Sequence, residues 1–151
     1  MLHYPVLLDE VINLLNIKPN GVYIDGTFGR GGHSVAILNH LNETGRILAF
    51  DKDEEAINYG KENINDSRLQ LIHASFAEFE EYLNSISKVD GVILDLGVSS
   101  PQLNNKERGF SFSLEHDLDM RMDNSKGLTA KEWVNSTKEI EMADVFWRYG
   151  E

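Results

Sequence analysis

Residues 23–34 read YIDGTFGRGGHS, with four glycines, Gly26, Gly29, Gly31 and Gly32, between an apolar run ending at Asp25 and an apolar run beginning near Val35. A glycine-rich turn joining a strand to a helix lets the backbone approach a ligand closely and turns helix N-terminal amides toward it. The spacing Asp25-Gly26-x-x-Gly29-x-Gly31-Gly32 is not the GxGxxG of dinucleotide-binding turns. A carboxylate before the turn offers nothing to a pyrophosphate, whereas a cationic ligand would be favoured by Asp25.

Outward from this loop, helical and extended patterns alternate. Residues 7–17 (LLDEVINLLNI) carry apolar side chains at three- and four-residue spacing and predict an amphipathic helix ending near Pro19-Asn20-Gly21. Strands are predicted at 22–25, 46–51, 69–74 and about 89–98, with helices at 33–42 and 53–64 and a third with Phe76, Phe79, Leu83 and Ile86 on one face. Such alternation requires right-handed crossovers and a parallel sheet covered on both faces, and the nearly continuous apolar strands fit burial on both sides. The fold class is therefore α/β, with a Rossmann-like parallel sheet.

After Ser99 the periodicity disappears, and residues 99–127 form a long irregular segment of the kind that in compact domains carries function or is disordered. Thr129-Ala130-Lys131-Glu132 then reads as a capping box, with Leu128 and Trp133 placed for a hydrophobic staple, and Ser136-Thr137-Lys138-Glu139 as a second box. Two helices with no strand between them imply a small helical module from about residue 113. The expected domains are 1–112 and 113–151.

The composition narrows the function classes. A chain of 151 residues, 41% hydrophobic, can bury a core, and without cysteine it has no disulfide, thiolate metal site or cysteine nucleophile. Neither a membrane-length apolar stretch nor a signal-peptide pattern is present, so a soluble cytoplasmic protein without membrane attachment is expected. The histidines lack metal-ligand spacing, and no metal is expected. A net charge of −11 argues against nonspecific wrapping of nucleic acid, because phosphate affinity comes largely from Lys and Arg. Residues 104–131 are neutral, with five basic and five acidic side chains, which leaves a specific RNA substrate open.

Further ligand-type residues fall at the ends of the predicted strands. Asp51 follows Gly29 by 22 residues, close to the spacing of about 20 at which a carboxylate meets a ribose hydroxyl pair in nucleotide-binding sheets. Phe76, after the third strand, has a ring that could flank an adenine, and Asp95 lies at the end of the fourth. A ligand with an adenosine and a positive charge fits this set. The alternatives are a tight turn at the glycines, a helix cap at Asp51 and a core position at Phe76.

The blocks HYPVLLDEV, YIDGTFGRGGHS, DGVILDLGVSSPQL, RGFSF and LDMRMD, in this order along essentially the whole chain, resemble the bacterial methyltransferases of the MraW type. That resemblance implies a class I methyltransferase fold and S-adenosylmethionine-dependent methylation of N4 of a cytidine in small-subunit ribosomal RNA. It implies cofactor contacts at Gly31, Gly32, His33, Asp51, Phe76, Asp95 and Gln102. By analogy with related amino-methyltransferases, Asp95 and the Leu96 carbonyl are candidates for orienting the acceptor amine, with Ser99 and Ser100 behind them. His33 is given no acid–base role, and DMRMD reads either as a packed loop or as a substrate contact through Arg121.

The implied partner is small-subunit ribosomal RNA in a ribosomal particle, and the open edge expected at the fourth strand suggests a homodimer as well. Members of the family are about twice as long, with a helical domain inserted into the sheet. This chain is expected to end within that insertion and to be inactive alone. Competing readings are a methyltransferase for another amine, a nucleotide-binding module without catalysis and, disfavoured by the glycine spacing, a nicotinamide-dependent dehydrogenase.

Overall fold

The computed structural model describes residues 5–83, 86–113 and 115–150. The chain packs as two units, Met1–Leu96 and Gly97–Glu151. This division by contact falls close to the loss of periodicity after Ser99 and ahead of the 112/113 boundary expected from the two later helices.

The first unit is built on four parallel strands, β1 (Val22–Asp25), β2 (Arg46–Asp51), β3 (Leu69–His73) and β4 (Gly91–Ile93), in the order β3-β2-β1-β4. This is the first half of the Rossmann order, in which the chain returns to the other side of β1 after β3. Helices α1 (Leu8–Leu15), α2 (Gly32–Leu38) and α3 (Glu54–Asn63) and a 3₁₀ segment (Phe76–Tyr82) complete the unit.

Strand alternation divides its core into two clusters. Tyr23, Ile47, Ala49 and Ile93 face Ile37, Leu38 and Leu41, with Val11, Ile12 and Leu15 of α1 packed alongside. Ile24, Leu48, Phe50 and Ile72 point the other way, toward Phe76, Phe79, Tyr82 and Leu83. Helical cover on both faces is thus observed, as the apolar strands require.

Two elements differ from their predicted form. The helix expected from Phe76 is a 3₁₀ segment ending at Tyr82, and its three-residue period brings Phe76, Phe79 and Tyr82 onto one cluster, with Tyr82 edge-on to Phe50 at 5.4 Å. The fourth strand covers only Gly91–Ile93 rather than 89–98. Its ladder ends where the Gly26 amide donates to the Ile93 carbonyl at 2.9 Å, and two residues on the Asp95 amide turns to the Thr27 hydroxyl instead.

In the second unit, α4 (Ser100–Asn104) is followed by a 3₁₀ turn at Lys106–Arg108 and then by α5 (Ala130–Ser136) and α6 (Glu139–Tyr149). The irregular stretch is tied down by two arginines. Arg108 is buried and donates through Nη2 to the carbonyls of Arg121 and Met122, while Met120 N–H returns a bond to the Arg108 carbonyl. Arg121 pairs with Asp119 at 2.6 Å and donates to the Gly127 carbonyl. Among the described residues, the LDMRMD block is thus a packed loop in which Arg121 closes the turn.

The first predicted capping box forms: the Thr129 hydroxyl accepts from the Glu132 amide, and Glu132 accepts from the Thr129 amide. The second does not. Ser136 is still the last residue of α5, and its hydroxyl donates to the Glu132 carbonyl four residues back; α6 begins after Lys138 without a side-chain cap. Trp133 meets Phe146 edge-on at 6.4 Å and joins α5 to α6.

Candidate functional site

Because all four strands are parallel, their C-terminal ends share one edge of the sheet, the edge at which open α/β sheets hold ligands. The glycine loop emerges there from β1, and its foundation is Asp25. This carboxylate is 1% exposed, accepts the Ser34 hydroxyl at 2.7 Å and the Thr27 amide at 3.1 Å, and so ties the end of β1 to α2. Burial pushes its pKa up, partly offset by the Ser34 and Thr27 bonds. Asp25 therefore builds the loop from beneath.

Two glycines are set by contact. A side chain at Gly26 would meet the Leu94 side chain and, at 2.9 Å, Phe76 Cβ. Gly31 has φ +79°, and a Cβ there would lie 2.8 Å from the Phe28 ring, which is itself buried under the loop. By contrast, a Cβ at Gly29 would meet nothing closer than the Thr27 carbonyl at 3.9 Å, so the loop is open on that side. The loop is also fastened sideways, where Arg30 pairs with Glu55 at 3.0 Å and lies 4.6 Å from the centre of the Tyr59 ring.

Asp51 ends β2 and points into this loop. Its Oδ2 accepts the Gly29 amide at 2.8 Å and its Oδ1 accepts the Asp53 amide at 2.9 Å. Burial raises its pKa, offset by those two amides. The helix cap that Asp51 could have been is Asp53, whose side chain accepts from the Glu55 amide at the start of α3. Each Asp51 oxygen accepts a backbone amide and, as a carboxylate oxygen, can accept a further donor.

Phe76 sits between core and edge, half-buried against the Ile24 cluster and touching the place where a Gly26 side chain would go. Asp95 and Leu96 follow β4 at the same edge and are exposed. The Asp95 amide donates to Thr27 Oγ1 at 2.7 Å, which binds this stretch to the glycine loop. Gly32 and His33 open α2, but their surroundings include the N-terminal segment. Pro5 packs on Gly32, and His33, 7% exposed, shares a 3.1 Å hydrogen bond between Nε2 and the Val6 carbonyl.

The first unit thus assembles Gly31, Gly32, His33, Asp51, Phe76, Asp95 and Leu96 around one sheet edge. Ser99, Ser100 and Gln102 belong to the second unit. There Ser99 caps α4, accepting the Gln102 amide at 3.4 Å, while Gln102 Oε1 accepts the Ser99 amide at 2.9 Å; Ser100 is the first residue of the helix. Sequence reading did not single out Thr27 or Ser34 as structural partners. The available signal was a hydroxyl residue two positions after Asp25, the pattern of an Asx turn, and a serine in the first turn of the following helix.

A parallel sheet in the order 3-2-1-4, with a glycine loop after β1 and an acidic end to β2, defines a Rossmann-like α/β fold. The chain belongs to the MraW methylase family, whose model matches residues 1–151. It is 53% identical over 99% of its length to the ribosomal RNA small subunit methyltransferase H of Hydrogenovibrio crunogenus, and 54% identical over 99% to that of Francisella tularensis subsp. holarctica. The matches cover 48% and 50% of those proteins, so the chain spans about half the length of the curated relatives it matches. Among solved structures, a SAM-dependent methyltransferase from Aquifex aeolicus aligns with 46% of this chain and 38% of its own, at 21% identity and a TM-score of 0.41.

Among the described residues, no helix is long and apolar enough to cross a membrane, and no cluster of three or more His, Asp or Glu is placed to hold a metal.

Proposed function

We propose that the chain carries the S-adenosylmethionine site of a methyltransferase acting on N4 of a cytidine in small-subunit ribosomal RNA. The observation that carries the reading is the Asp51 carboxylate, fixed at the end of β2 by the Gly29 amide beside a loop that is open above Gly29. Relatives at 53–54% identity named for small-subunit ribosomal RNA methylation support the substrate class.

The residues fit such a cofactor. Asp51 has acceptor capacity for two ribose hydroxyls, Phe76 offers a ring at the same edge, and Gly31, Gly32 and the backbone of His33 line the loop for the methionine end, with Asp95 beside it; the family resemblance adds Gln102, which belongs to the second unit. Bound S-adenosylmethionine would supply a sulfonium methyl for in-line displacement.

Asp95 and the Leu96 carbonyl then act on the acceptor. The lone pair of a cytosine amino group is delocalised into the ring, and acceptors for its two N–H hydrogens favour a pyramidal nitrogen whose pair can be aimed at the methyl. Ser99 and Ser100 are additional acceptors in this assignment. Alignment supplies most of the acceleration in a displacement of this kind.

Several of the cationic side chains that RNA affinity would draw on are already in ion pairs. Lys18 and Lys88 both pair with Asp90, and Arg68, Lys131 and Arg148 are also paired. The substrate in this reading is a cytoplasmic ribosomal particle, whose own components help to place the RNA. In this reading, residues from about 113 begin an inserted helical domain, and the chain also forms a homodimer.

A chimera in which residues 1–151 replace the matching segment of the Hydrogenovibrio relative tests the substrate assignment. With methyl-labelled S-adenosylmethionine and small ribosomal subunits, the label is expected in N4-methylcytidine after digestion to nucleosides. Label on another base or on a small amine would overturn the cytidine assignment. A folded, cofactor-binding chimera without transfer would favour a nucleotide-binding module.

A further inference from the structure

Thr27 lies in the middle of the glycine loop, and its bonds run to β1 and to the segment that follows β4. Its amide donates to Asp25 at the end of β1, and its hydroxyl oxygen accepts the Asp95 amide at 2.7 Å, across 68 residues of sequence. The Asp95 amide has left the ladder, since the final β1–β4 connection is the bond from Gly26 to Ile93. Beyond that point the backbone includes Gly97 at φ +148°, and Leu94, Asp95 and Leu96 are all exposed. In the first unit, the Thr27 hydroxyl is the side-chain hydrogen bond that holds the Asp95 backbone.

We infer that Thr27 is a positioning residue, holding Asp95 at the glycine loop so that the site's cofactor and acceptor sides keep a fixed separation. This rests on the proposed function for what Asp95 touches, but not for the bond itself. An amide donating to a hydroxyl fixes the Asp95 backbone, and so the point from which its carboxylate reaches into the site. Because the hydroxyl accepts in this bond, its own proton stays available to donate at the same edge. A valine at position 27 keeps the shape and removes the acceptor; a serine keeps the acceptor and removes only the methyl.

The test uses the 151-residue chain with S-adenosylhomocysteine as probe, in wild type, Thr27→Val, Thr27→Ser, Asp95→Ala and the double variant Thr27→Val/Asp95→Ala. Amide hydrogen exchange at Asp95 reads the bond directly. Slow exchange is expected in wild type and Thr27→Ser and fast exchange in Thr27→Val; fast exchange in wild type would overturn the inference even if Thr27→Val does not fold.

Thr27→Val is expected to weaken S-adenosylhomocysteine binding about three- to tenfold, the scale of one hydrogen bond. Thr27→Ser should restore most of that affinity, and Thr27→Val should have little further effect when Asp95 is already alanine. Equal losses in the two backgrounds would mean that Thr27 acts without Asp95 and would contradict the inference. If wild type binds no S-adenosylhomocysteine, the cofactor reading fails, while the exchange data still decide whether Thr27 holds Asp95.

Discussion

The Gly29 amide donates to Asp51 Oδ2 at 2.8 Å, joining the glycine loop after β1 to the end of β2 across 22 residues of sequence. A spacing that suggested a ribose-binding carboxylate thus also marks a structural bond. Under the proposed function Asp51 has two duties, holding the loop and binding the ribose, and substitutions can separate them. Asp51→Ala is expected to reduce S-adenosylhomocysteine affinity by about tenfold or more, since hydrogen bonds to a charged acceptor are worth about 1.5–3 kcal/mol each. Asp51→Asn, which retains one acceptor oxygen, should lose less. Calorimetric titration of the three proteins measures this, and unchanged affinity in Asp51→Ala would leave Asp51 with the loop-holding role alone.

Gly31→Ala should cost stability as well as binding. The new methyl would crowd Phe28 and Ile64 at 2.7–2.8 Å, and the backbone would keep a φ of +79° that alanine disfavours. Overpacking of this kind costs about 1–3 kcal/mol. Denaturant unfolding should show a lower midpoint for Gly31→Ala than for Gly29→Ala, where strained backbone meets open space. The reverse order would mean that Phe28 does not pin the loop.

Much of this architecture was legible because it is local. Alternating strand and helix periods located the sheet, and Thr129 with Glu132 announced the start of α5. Features decided at long range were not legible. The early end of β4 coincides with the Thr27–Asp95 bond, and the burial of Arg108 depends on carbonyls at positions 121 and 122, whereas Ser136, read as a cap, is a local miss, bonded back to Glu132 inside α5. In the site, sequence spacing placed Asp51 at the right edge but could not show that Gly29 already occupies one of its oxygens, or that His33 reaches the Val6 carbonyl.

The buried carboxylate beneath the loop sets a pH dependence. Burial raises the Asp25 pKa above its ordinary 3.8, so between 3.8 and the raised value the folded chain holds more protons than the unfolded one. The contribution of Asp25 to stability is then full below 3.8 and declines as pH rises through that window. Asp51 acts in the same direction, whereas Asp90, lowered to about 2 chiefly by Lys18, favours folding above 3.8 and loses that contribution as pH falls through about 2. Asp25→Asn keeps an acceptor for the Thr27 amide and should flatten the decline above 3.8. Denaturant unfolding of both proteins across pH checks this, and parallel profiles would count against a raised Asp25.

The sheet edge at β4 should make the chain associate. Among the described residues, β4 has one sheet neighbour, β1, and Val92, Leu94 and Leu96 are 55%, 46% and 69% exposed. An apolar strand with an unpaired side recruits other strands. Light scattering during size-exclusion chromatography is expected to show mass rising with concentration, and Val92→Lys should reduce it. A constant monomer mass at high concentration would mean that the edge is protected.

The central claim, that this sheet edge holds an adenosyl cofactor with a methionine end, is tested most directly by titrating the 151-residue chain with S-adenosylmethionine, S-adenosylhomocysteine and NAD side by side in a calorimeter. Saturable binding of the two adenosyl ligands without NAD binding is the expected result, with both affinities reduced by Asp51→Ala. Binding of NAD alone, or of none of the three by a folded chain, would contradict it.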